Sequence, residues 1–164
     1  MTGNDLASMY EFSYMALSRN LAELRHEDSV FIPKPGGNCI NWALGHIISA
    51  RGTMLLLTGA GAPILSKAEA AVFARGSAAL KPGDQGVDLG RLKSALEESQ
   101  KKLIPALQGL SDEALAAEVP EKFKRPPLMG SVGDALARLC YHEGYHNGQI
   151  GILRRLAGKE AAIK

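Results

Sequence analysis

The sequence predicts an all-α fold: a four-helix bundle with a long crossover between helices 2 and 3. Apolar residues recur every three or four positions through three long segments, the period of a helix with one buried stripe, and a fourth long segment is apolar nearly all round. No segment shows sustained period-two alternation with β-branched residues, which a half-buried strand would require. Residues 60–87 separate the second and third helical segments, and antiparallel neighbours need only a short loop. Those two helices are therefore expected to run parallel. With 164 residues the chain is the size of one domain, 1–164, and long enough to bury a core.

In the first helix, expected over about residues 4–26, the stripe is Leu6, Tyr10, Tyr14, Leu17, Leu21 and Leu24. His26 is expected at its end, in solvent, amid Arg25, Glu27 and Asp28. Pro33, Pro35, Gly36 and Gly37 then force a turn, and Asn38 is the candidate cap of a second helix ending near Gly59-Ala60-Gly61. This helix is apolar nearly all round, as in an element covered by neighbours. His46, Ser49, Arg51 and two internal glycines keep it below the roughly 18 uninterrupted apolar residues of a membrane span. Within the connection, a short helix is expected after Ser66, and "KPGDQGVD" reads as loop.

Asp88 can cap the third helix, whose stripe is Leu89, Leu92, Leu96, Leu103, Leu107 and Leu110. Pro105 should kink or weaken it, because proline removes a backbone donor and crowds the preceding turn. Ser111 caps a single helical turn, and "EKFKRPPLMG" should be extended or irregular around Pro126 and Pro127. Ser131 opens the fourth helix, which runs to about Ala157 and stops at Gly158.

A net charge of +2 with scattered basic residues argues against nucleic acid as a partner, and the chain lacks a membrane span. Lys101-Lys102 and Arg154-Arg155 read as solvated helix faces. The start MTGNDLASMYEF has no basic, then apolar, secretory pattern. Cys39 and Cys140 accordingly read as reduced, small buried hydrophobes in a cytoplasmic protein.

The residues able to carry chemistry lie in the second and fourth helices. The fourth helix's inward stripe is Val132, Ala135, Leu139, His142, His146, Gln149, Ile150 and Leu153. At i and i+4, His142 and His146 stand one turn apart on one face, close enough to share an ion. Buried imidazoles need polar partners, and a metal is one; hydrogen-bonded core histidines are the alternative. His46, midway along the most apolar helix, is the candidate third ligand. Three neutral imidazoles would leave open coordination positions. Gln149, one turn beyond His146, is the candidate to orient a ligand or substrate; a polar contact between helices is the alternative. Glu143 points about 100° away from His142 on an ideal helix, which argues against a general base. Tyr141 and Tyr145 are expected to pack against neighbours. Cys39 lies about 10 Å from His46 along the helix, too far for the same ion.

"NWALGHI" together with "YHEGYHNGQIGILRRLAG" resembles the DinB-like superfamily of small metal-binding four-helix proteins. The resemblance spans essentially the whole chain, including the crossover and the "LSDEALAAEVP" turn. It implies a left-handed bundle with up-down-down-up topology, frequent homodimers, and a divalent metal at His46, His142 and His146. Zinc or nickel is expected, with iron or manganese also compatible with imidazole ligands. Characterised relatives include transferases and isomerases that use low-molecular-weight thiols. The activity so implied is a thiol-dependent transferase or hydrolase acting on a small molecule; the alternative is a metal-stabilised binding module without turnover.

Overall fold

A computed structural model describes residues 1–34, 36–125 and 128–163. They form seven α-helices: α1 (Gly3–Leu21), α2 (His26–Ser29), α3 (Ile40–Leu57), α4 (Lys67–Val72), α5 (Leu89–Gln108), α6 (Asp112–Ala116) and α7 (Val132–Leu156). A 3₁₀ turn spans Glu121–Phe123. No strand is present among the described residues, only isolated bridges. The short helix after Ser66, the Ser111 turn and the Ser131 start all form where the sequence places them. Each begins with a serine hydroxyl accepting a free backbone N–H of the first turn. Asp88 does the same for α5. Among the described residues, no helix is long and apolar enough to cross a membrane.

Several local expectations are revised. The first helix ends at Leu21, not near residue 26, because Ala22 is extended and Glu23 takes a left-handed φ of 61°. The Arg154 guanidinium closes that end by donating to the carbonyls of Asn20 and Ala22. Arg154 is consequently buried, whereas Arg155 is solvated as expected. His26 opens α2, half-buried, with Nδ1 accepting the Leu89 N–H at 3.3 Å. Cys39, not Asn38, sits at the cap position of α3, with no side-chain cap. Helix α5 continues through Pro105 to Gln108. Pro105 and Lys101, whose carbonyl loses its usual donor, are both exposed residues, so water can replace the missing bond. The irregular reading of residues 121–130 rested on Pro126 and Pro127, which lie outside the described residues.

Helices α1 and α3 each pack against both α5 and α7. The core they enclose is split in two. One half contains Leu17, Ile40, Ile47, Leu92 and Ile150; the other contains Leu6, Tyr10, Met54, Leu103 and Leu136. At the middle of each long helix a polar residue interrupts the apolar stripe: Ser13, Arg51, Ser99 and Glu143, all buried. Arg51 donates to both Glu143 oxygens at 2.8 Å and to Ser99 Oγ at 3.2 Å, and Ser13 donates to Glu143 at 2.8 Å. One polar layer thus ties all four long helices together. Such a layer is tolerated because its charges and hydrogen-bonding groups find partners within it.

Candidate metal centre

Helices α3 and α7 bring His46, His142 and His146 together, and one ligand atom from each lies within 4.8 Å of the other two. His142 Nε2 stands 3.1 Å from His46 Nε2 and 3.2 Å from His146 Nε2. Donors about 2.1 Å from one ion, set about 90–110° apart, would stand about 3.0–3.4 Å from each other. The observed spacings fall in that window.

The outward-facing nitrogens fix the tautomers. His46 Nδ1 lies 2.7 Å from the Phe73 carbonyl, which can only accept, so Nδ1 carries the hydrogen. His146 Nδ1 likewise lies 2.7 Å from Gln149 Oε1. Both Nε2 atoms therefore turn lone pairs toward His142. With its own hydrogen on Nδ1, His142 adds a third lone pair to these two, and that donor set fits a cation. The buried Nδ1 of His142 has no hydrogen-bond partner among the described residues.

Burial, then the neighbouring His146 and His46, pulls the His142 pKa down to about 4. Burial also lowers His146, against the opposing Gln149 hydrogen bond. Both rings are thus neutral near pH 7, the form that binds metal. Trp42 stacks on His46 with centroids 4.8 Å apart and planes 10° from parallel. Tyr145 meets His146 edge-on at 5.1 Å, and its hydroxyl accepts from Gln149 Nε2 at 3.1 Å. Tyr145, His146 and Gln149 form one short chain along α7.

Gln149 therefore touches a histidine rather than the space between the three. Glu143 is absent from the cluster, as its angle on the helix suggests, but its role is larger than that angle reveals. It is the buried partner of Arg51. Reading the sequence missed this pair, although an arginine inside the most apolar helix was the available signal. Tyr141 is 79% exposed rather than packed. Cys39 and Cys140 are free and buried, and burial raises both thiols, Cys140 to about 11.

The histidines sit in a cleft of about 660 Å³. Trp42, Phe73, Leu128 and Leu139 form its apolar walls, Ser49 and Thr53 continue the His46 face of α3, and Arg75 and Arg125 also line it. The volume suits a small molecule rather than an ion alone. Gly45 lets the wall close. A Cβ there would lie 2.4 Å from Phe73 ring atoms, so only glycine allows Phe73 to reach α3 and present its carbonyl to His46.

No curated protein matches the sequence. A solved structure, that of a conserved protein from Enterococcus faecalis, superposes with a TM-score of 0.71 over 97% of this chain and 99% of that one. At 16% identity the likeness shows a shared fold. The family model described as the DinB superfamily matches residues 9–150, which hold all three histidines and the four long helices but for the ends of α1 and α7, and the chain belongs to that superfamily.

Proposed function

We propose that the protein is a metal-dependent enzyme, a thiol-dependent transferase or hydrolase acting on a small molecule at His46, His142 and His146. The observation that carries this reading is the convergence of the three Nε2 atoms, two of them with their Nδ1 atoms held by outer partners. A divalent ion held there, zinc or nickel first among the candidates, supplies a Lewis acid that lowers the pKa of a water or thiol entering the open positions. The protein's own contribution is to keep His142 and His146 neutral, fix the tautomers of His46 and His146 through Phe73 and Gln149, and wall the cleft with Trp42, Phe73 and Leu139. Gln149 acts in this reading as an orienting residue for His146.

The order of helix contacts supports the up-down-down-up sense. Along α1 and α7 the chain passes from the Leu6 half of the core to the Leu17 half, and along α3 and α5 it passes back. A homodimer would cover Met9, Phe12, Tyr141 and Ile152, large apolar side chains exposed on α1 and α7. In this reading the protein works in the cytoplasm on a small molecule, with neither nucleic acid nor membrane as a partner.

The test is elemental analysis of purified protein and of apo-protein reconstituted with zinc and nickel, followed by assays of glutathione and cysteine against small electrophiles. One bound ion per chain, lost in His46→Ala and His142→Ala, is expected; a protein that binds no divalent ion would end the proposal. One observation favours a second reading, a metal-stabilised binding module without turnover. Glu143, the carboxylate beside His142 in sequence, is committed to Arg51 and Ser13 and is not free for proton transfer. Thiol turnover that disappears in His46→Ala excludes that reading.

A further inference from the structure

The cleft beside the histidines has an unbalanced charge. Its charged lining side chains are Arg75, in the connection after α4, and Arg125, in the segment before α7; among the described residues no Asp or Glu lines it. Elsewhere, Arg51 is matched with Glu143, Arg91 with Glu69, and Arg154 with Glu23 and backbone carbonyls, while the exposed Arg19 and Arg155 have no side-chain partner among the described residues. The side chains of Arg75 and Arg125, both exposed, have no hydrogen bond or ion pair among the described residues. Ser49 Oγ, on the same cleft wall, is buried and has no hydrogen-bond partner among the described residues. Two solvent-exposed guanidinium groups with no protein acceptor and one buried hydroxyl thus line the same small-molecule-sized cleft and offer donors to an anion. A planar guanidinium answers a carboxylate or phosphate with paired, charge-assisted hydrogen bonds.

We infer that the small molecule entering this cleft carries an anionic group of carboxylate or phosphate type, held by Arg75 and Arg125, with an apolar portion lying against Trp42 and Phe73. The inference deepens the proposed function by naming the substrate's chemical class, and it rests on that reading for the identification of the cleft as the reactive site. The two arginines come from different connections, so the anion bridges segments that the helices alone do not join.

Trp42 is the chain's single tryptophan and lines the cleft, so its fluorescence reports occupancy. Metal-free protein is titrated with 4-nitrobenzoate, with neutral 4-nitrobenzamide and with 4-nitrophenyl phosphate, all of which carry a quenching ring. At least one anion is expected to bind about tenfold or more tightly than the amide, and comparison of the two anions tells carboxylate from phosphate. Arg75→Gln and Arg125→Gln should each weaken anion binding severalfold, the double variant should erase the preference, and the paired lysine replacements should restore part of it. Because both side chains are exposed, circular dichroism and zinc stoichiometry should be unchanged in every variant. Equal binding of the amide and both anions, no binding of any probe, or a preference that survives in the double variant overturns the inference. Zinc stoichiometry reports separately on the metal proposal: loss of zinc in His142→Ala with the anion preference intact leaves both standing. Absence of zinc from the native protein removes only the metal proposal.

Discussion

Arg51 and Glu143 meet through two parallel hydrogen bonds of 2.8 Å, Nε to Oε2 and Nη2 to Oε1, with the pair almost wholly removed from solvent. Removing one partner strands a buried charge. Arg51→Met or Glu143→Gln should each destabilise the protein by about 3–5 kcal/mol, read by urea denaturation. Replacing both with apolar residues should cost clearly less than the sum of the single changes. Additive losses would show that the two side chains do not depend on each other.

Metal loading should raise the melting temperature, because an ion that binds only the folded chain stabilises it by mass action. At a free concentration a hundred times Kd the gain is about 2.7 kcal/mol. The shift should vanish in His46→Ala and His142→Ala, measured by differential scanning fluorimetry with and without chelator.

Gln149→Leu removes the acceptor that holds the hydrogen on His146 Nδ1. Zinc affinity should fall about 10- to 100-fold, the usual range for a lost outer partner, with little change in the melting temperature of the metal-free protein. Competition against a chromogenic chelator measures it. An unchanged affinity would reduce Gln149 to a surface contact.

Gly45→Ala places a methyl group where the Phe73 ring lies. Phe73 must move, at a cost of about 1–3 kcal/mol, and its carbonyl moves away from His46 Nδ1. Stability and zinc affinity should therefore fall together, a coupling that the Gln149 variant does not show.

Cys140 should resist alkylation. Burial raises its pKa to about 11, so at pH 8 only about one thiol in a thousand is ionised, and the side chain is also buried. Iodoacetamide at pH 8 should leave the folded protein unlabelled, while denatured protein takes up two equivalents, at Cys39 and Cys140. Rapid labelling of Cys140 in the folded state would contradict the packing around α7.

The helices and the histidine cluster were legible because each leaves a mark in local spacing. The leucine stripes of α1 and α5 give their inward faces directly, and the four-residue interval of His142 and His146 puts both on one line. His46 was legible from its position in an apolar helix. The polar layer was not, since it exists only across helices. Ser13, Arg51, Ser99 and Glu143 each look like a single interruption of a stripe, and nothing in one helix says that four interruptions share a level. Arg154 misled for the same reason: its binding site consists of α1 carbonyls, which leave no trace in the side-chain pattern around residue 154. Glu143 was measured against His142 alone, where its angle made it irrelevant, when its partner stood on another helix.

The division of the core has a consequence for the histidines. Uniform leucine faces can slide past one another with little penalty, and α7 displaced by one turn, about 5.4 Å, would still bury aliphatic groups. It would also leave Glu143 facing hydrocarbon and Arg51 without its carboxylate. The ion pair therefore acts as a detent that admits one register of α7 against α3, and the admitted register is the one in which His142 and His146 stand level with His46.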